Sequence, residues 1–102
     1  MSLKKKYLTS KNICKVTFHL SGKAVANGEL VNLVGDFNGW NQEAFPMKKL
    51  KNGDFSITVD LVPGHAYEFR YLIDKTRWEN DWCADRYSPS QFPYCDNSVV
   101  EI

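Results

Sequence analysis

The sequence predicts an all-β domain, an immunoglobulin-like sandwich of about seven antiparallel strands. Three observations carry that expectation. Apolar and polar residues alternate at period two around 13–20, 55–61 and 67–74. Turn-forming groups such as Ser21-Gly22, Asn52-Gly53 and Pro63-Gly64 separate these stretches at short intervals. No stretch shows the spacing of an amphipathic helix. A chain of 102 residues, 43% apolar and 14% aromatic, is the size of one domain with a real core. It is too short for a (β/α)8 enzyme barrel, which takes roughly 200 residues or more.

Taken in order, residues 1–11 read as a disordered basic lead-in, with Lys4-Lys5-Lys6 as a solvated run. Residues 12–102 read as the domain. Cys14, Val16, Phe18 and Leu20 alternate with Lys15, Thr17 and His19, the pattern of a strand with one wet face. Residues 21–29 are a connection. Val31–Val34 is a second strand, ended by Gly35, where backbone angles closed to other residues are expected. Gly35 to Gly39 then form a turn with Phe37 inside it, and Trp40 follows. That tryptophan either closes the core or stands as a platform for a ligand.

Phe45, Met47 and Leu50 suggest a short strand, placed at an edge because Pro46 cannot donate to a ladder. Asn52-Gly53 marks a hairpin. Beyond it Phe55, Ile57, Val59 and Leu61 share one face. After the turn at Pro63-Gly64, Tyr67, Phe69, Tyr71 and Ile73 point inward, and Glu68, Arg70 and Leu72 outward. Residues 75–96 read as a long irregular segment, a length often associated with function. Asn97 opens a last strand to Ile102.

The formal net charge of +1 supplies no field to draw in nucleic acid or an anionic membrane. No run approaches the roughly 20 apolar residues of a membrane span. No signal peptide is visible, and three cysteines without a C-x-x-C pair suit reduced thiols, so a cytoplasmic location is expected. Spacing alone does not decide whether Cys83 and Cys95 form a bridge.

Catalytic constellations are weak. His19 and His65 show no evident partner. Asp36 and Asp74 sit where strands become loops, where such side chains commonly bond nearby backbone amides. Asp81, Asp85 and Asp96 lack the spacing of a calcium loop, and local capping is the preferred reading. No metal or cofactor is expected. The stronger grouping is non-catalytic: Trp40 after its turn, Trp78 after the strand ending at Asp74, Arg70 on an outer face, and Asn97 opening the last strand. An indole offers a flat surface to the C–H face of a pyranose. A guanidinium and an amide supply donors and an acceptor for its hydroxyls. Packing of each tryptophan on the core is the alternative, and single-stranded nucleic acid is disfavoured by the absence of a basic groove.

The turn VNLVGDFNGW, the stretch FSITVDLVPGHAYEFRYLID and the terminal NSVVEI together resemble carbohydrate-binding module family 48 over residues 13–102. The resemblance implies an early-set immunoglobulin-like sandwich that binds α-1,4-glucans such as glycogen or starch without catalysis. It implies stacking on Trp40 and Trp78 and hydrogen bonding by Arg70, which stands where the family has lysine, and by Asn97. It also implies association with a separate glucan-metabolising enzyme, such as a glycoside hydrolase of family 13, as the alternative role. Three departures stand out. Lys75-Thr76-Arg77 separate Asp74 from Trp78, the segment Ser88–Asp96 lacks the glycine often found before the terminal asparagine, and Trp82 has no counterpart.

Overall fold

The structure, a computed structural model, describes residues 3–25, 28–89 and 96–102. Two antiparallel sheets face each other, as an all-β sandwich requires. The first holds β1 (Leu3–Leu8), β2 (Ile13–Leu20), β5 (Phe55–Leu61) and β4 (Lys48–Lys49) in the order β1-β2-β5-β4. The second holds β3 (Val31–Gly35), β6 (Ala66–Ile73), β9 (Asp96–Glu101) and β8 (Arg86–Pro89) in the order β3-β6-β9-β8. Short β7 (Arg77–Glu79) also pairs with β6.

Period two decides which side chains meet between the sheets. Cys14, Val16, Phe18 and Leu20 pair in register with Leu61, Val59, Ile57 and Phe55. Across the gap stand Val31, Leu33, Phe69, Tyr71, Ile73 and Val100. Phe18 meets Phe69 edge-on, with ring centroids 5.0 Å apart at 74°. Burial of such rings is the main source of stability in a chain this small. The second sheet is covered on its outer face as well, where Val34, Leu72 and Val99 are all buried.

Four expectations give way to the structure. Residues 3–8 are not a disordered lead-in: β1 pairs with β2 from Leu3 opposite Phe18 to Leu8 opposite Ile13, and Leu3 enters the core. The lysine run hid this strand, because its hydrogen-bond partners lie beyond the turn. Residues 21–29 contain one helical turn, α1 (Gly22–Val25), whose Ala24 and Val25 plug the end of the core. Residues 75–89 are irregular only in part, since they contribute β7 and β8 on either side of 80–85. His19 has a partner, with Nε2 2.7 Å from Asp54 Oδ2.

The proline segment does run along an edge, and it joins both sheets. Phe45 and Met47 bond to β3 on either side of Pro46, through Leu33 N–H to Phe45 O and Met47 N–H to Val31 O. Two residues later the chain pairs with β5 of the other sheet. Pro46 therefore sits where its missing N–H is not needed.

The pairing of β3 with β6 brings Gly35 opposite Phe69. Gly35 is extended, at φ −174°, so its angles are open to any residue; the expected special angles are absent. Contact is the actual constraint. A Cβ there would lie 2.5 Å from Glu68 O and 2.8 Å from Phe69 Cβ. Gly35→Ala should therefore destabilise the domain by about 2–3 kcal/mol, read as a lower urea midpoint.

Two aspartates make the fold acid-sensitive. Asp74 accepts the backbone N–H groups of Glu29 and Leu30, both at 2.9 Å, and these bonds hold its carboxyl below the ordinary 3.8; Arg77 adds to the effect. Asp54 is likewise lowered, first by the Gly22 N–H and then by His19. A carboxylate with a depressed folded-state pKa contributes stability that is present above its unfolded value. That contribution is lost as pH falls through the folded value. Denaturant midpoints should accordingly drop as pH descends below 3.8, and Asp74→Asn should flatten that descent.

Candidate functional site

The stretch Gly35 to Trp40 works as a unit. It forms a single turn of 3-10 helix over Asp36–Asn38, then two residues in the left-handed region, Gly39 at φ 65° and Trp40 at φ 59°. Each side chain has a separate task. Phe37 turns inward, stacking 5.9 Å from Phe45 and tilting 5.6 Å from Phe18. Asn38 folds back, accepting Gly35 N–H at 3.1 Å and donating to Leu33 O at 3.0 Å. Its amide thus satisfies backbone groups that the end of β3 leaves unpaired.

Trp40 turns the other way and is half-buried. Its backbone N–H donates to Gly35 O at 2.9 Å, and its indole Nε1–H donates to Asp36 Oδ1 at 2.9 Å. The second oxygen of Asp36 accepts Glu68 N–H on β6 at 2.8 Å. Asp36 does bond a backbone amide, as a strand-end aspartate should, but that amide lies 32 residues away. A bulky L-residue at positive φ costs roughly 1–2 kcal/mol. The hydrogen bonds around Trp40 hold it there nonetheless, with the ring fixed at both its backbone and its polar end.

Arg70 and Asn97 meet directly. Arg70 Nε–H donates to Asn97 Oδ1 at 2.6 Å. Asn97 Nδ2–H donates to Glu68 Oε1 at 3.0 Å. Alternation puts Glu68 and Arg70 on the outer face of β6, and the antiparallel register places the start of β9 beside them. Arg70 Nη2 is buried and has no hydrogen-bond partner among the described residues. A donor left in that state is costly unless some acceptor reaches it.

Trp78 is not in a loop. Asp74 and Lys75 take positive φ angles of 53° and 61°, which turns the chain back on itself. Trp78 then falls in β7 opposite Leu72, on the outer face that also carries Arg70. It is 41% exposed. The residues between Asp74 and Trp78 therefore form a tight hairpin and return the indole to the sheet. Trp40, Arg70 and Asn97 are joined by hydrogen bonds through Asp36 and Glu68, whereas Trp78 is fixed by the ladder.

Sequence reasoning missed the parts played by Asp36 and Glu68. Glu68 was legible as an outer-face residue two positions from Arg70. Its bond to Asn97 needs the register of β9, which no local pattern supplies. The region beyond Pro89 that holds Phe92, Pro93, Tyr94 and Cys95 lies outside the described residues; Cys83, which is described, is a free, exposed thiol.

The acidic residues have structural uses. Asp81 is fully buried, with Oδ2 accepting the Tyr71 hydroxyl at 2.7 Å and Oδ1 accepting Cys83 N–H at 2.8 Å. Burial, reinforced by the Asp81 charge, holds the Tyr71 phenol well above its ordinary value and keeps it a donor. Asp85 bonds Lys5 and Glu101 N–H. Among the described residues no three His, Cys, Asp or Glu side chains converge to hold a metal.

The left-handed backbone at Trp40 gives a direct test of strain. Trp40→Gly should unfold at higher denaturant than Trp40→Ala, by about 1 kcal/mol, because glycine adopts positive φ without penalty. Equal stabilities would show that the turn relaxes.

Comparison with known proteins places the chain in a family. The family described as the glycogen recognition site of AMP-activated protein kinase matches residues 15–91. That span contains Trp40, Arg70 and Trp78 and stops short of Asn97. Protein PTST homolog 2, chloroplastic, from Arabidopsis thaliana, is 41% identical over 51 residues. The matched part is 50% of this chain and 9% of that protein. Among the described residues no helix is long and apolar enough to cross a membrane. Since the match extends over well more than half of the residues and agrees with the resemblance to carbohydrate-binding module family 48, the chain belongs to the family of glycogen recognition sites of AMP-activated protein kinase.

Proposed function

We propose that this domain binds α-1,4-glucan chains, of the glycogen or starch type, on the outer face of the second sheet and performs no catalysis. The observation that carries the reading is the Arg70–Asn97 pair, 2.6 Å apart, on the face that also bears Trp78 and is tied to Trp40 through Asp36 and Glu68. Glucose rings stack on the two indoles through their C–H faces, which suit an apolar aromatic surface. Ring hydroxyls accept from the Arg70 guanidinium and exchange hydrogen bonds with the Asn97 amide.

A non-catalytic role accords with the acidic side chains at the site. Asp36 already holds two N–H groups, and Glu68 holds the Asn97 amide. A glycosidase needs two carboxylates facing each other across the scissile bond. The proposed compartment is the cytoplasm; the Arabidopsis relative is chloroplastic by its name.

A second reading makes the domain a docking module for a separate glucan-metabolising enzyme. Its support is the exposure of Trp82 (60%) and Tyr87 (45%), aromatic surface outside the proposed sugar contacts. On this reading the same domain holds glucan on one face and a protein on another.

Titration with maltoheptaose or β-cyclodextrin, followed by tryptophan fluorescence, tests the first reading. A saturable change is expected at millimolar sugar or below. Trp40→Ala, Trp78→Ala and Arg70→Ala should each weaken binding about tenfold or more, a loss of about 1.4 kcal/mol. A flat titration of the unmodified protein would refute glucan binding. Undiminished binding by all three variants would move the site elsewhere.

A further inference from the structure

We propose that Asp36 and Glu68 are the positioning residues of the glucan site, holding Trp40 and Asn97 in the orientations that meet the sugar. The inference rests on the reading of the site given above. Four hydrogen bonds form one continuous chain across the face. Trp40 Nε1–H donates to Asp36 Oδ1 at 2.9 Å, and Glu68 N–H donates to Asp36 Oδ2 at 2.8 Å. Asn97 Nδ2–H donates to Glu68 Oε1 at 3.0 Å, and Arg70 Nε–H donates to Asn97 Oδ1 at 2.6 Å.

The chemistry of the partners fixes the direction of each group. An amide side chain presents an acceptor on one side and donors on the other. Glu68 only accepts and Arg70 only donates, so one flip of the Asn97 amide satisfies both. In that flip one Nδ2–H and one lone pair of Oδ1 are left for sugar hydroxyls. Asp36 acts similarly on Trp40. Its two oxygens take two N–H groups at once, one from the indole and one from the β6 backbone. The ring plane is thereby referenced to the strand that carries Glu68 and Arg70. Side chains fixed before the ligand arrives lose less freedom on binding than side chains that must first be immobilised.

Asparagine cannot replace Asp36, because its NH2 group would face an N–H donor. Glutamine can replace Glu68, because its carbonyl still accepts from Asn97. These opposite expectations separate positioning from general damage.

The test measures maltoheptaose affinity by calorimetry for the unmodified protein and for Asp36→Ala, Asp36→Asn, Glu68→Ala and Glu68→Gln. Urea midpoints and the ¹H–¹⁵N indole resonances are recorded on the same samples. Asp36→Ala, Asp36→Asn and Glu68→Ala should each weaken binding about tenfold, and Glu68→Gln should stay within about threefold of the unmodified protein. Only the Asp36 variants should move the Trp40 indole resonance, assigned by its disappearance in Trp40→Phe. If Asp36→Ala does not fold, Asp36→Asn and Glu68→Ala carry the comparison. Affinity unchanged in those variants while Trp40→Ala loses binding overturns the proposal and leaves the site standing. Equal losses in Glu68→Gln and Glu68→Ala also overturn it. No binding by the unmodified protein overturns the site and the proposal together.

Discussion

The pairing of β3 with β6 is closed at both ends by an aspartate reaching across it. At one end Asp74, just past β6, accepts two N–H groups from the approach to β3. At the other, Asp36, just past β3, accepts an N–H group of β6. Between these clasps the register runs from Val31 opposite Ile73 to Gly35 opposite Phe69. A one-residue slip of β6 would turn Tyr71 out of the core and Arg70 into it. The core and the outer face are therefore specified together, and the candidate site inherits its geometry from the same ladder that buries the aromatic residues.

Strand β6 carries the rest of the site because it is bonded along both edges. One edge meets β3; the other meets β9 first and β7 further along. Asn80 joins these two short partners, donating to Asp96 O and accepting from the N–H and hydroxyl of Ser98. Trp78 and Asn97, nineteen positions apart in the sequence, are thus held against neighbouring parts of one strand. A shallow binding face assembled on paired strands keeps its shape better than one built from loops.

Much of the fold was legible because period-two alternation is local. The inward sets of β2, β5 and β6 and the edge placement of Pro46 follow from spacing and side-chain chemistry alone. The special role of Gly35 was legible too, but its cause was not, since close approach to Glu68 and Phe69 depends on strands that meet only in three dimensions. Strand β1 was hidden by Lys4-Lys5-Lys6, and β7 by a turn whose two positive φ angles fall on Asp74 and Lys75 rather than on glycine. In the site, Trp40 and Arg70 could be chosen from the turn and from alternation. The joining of Arg70, Asn97 and Glu68 could not, because it rests on the pairing of β9 with β6.

The hidden first strand has a consequence for how the domain keeps to itself. Lys5 lies opposite Val16, on the side of β1 that faces the second sheet, and its ammonium group reaches Asp85 at 2.6 Å. A charge directed inward from an outermost strand makes that strand a poor template for a further chain. Behind it, β2 carries Val16 and Phe18, an attractive sequence for unwanted pairing if its backbone were bare. Residues 3–8 thus act as a guard on the open margin of the sheet. A shortened version beginning near residue 12 would leave the backbone of β2 bare along that margin and open to pairing with another strand.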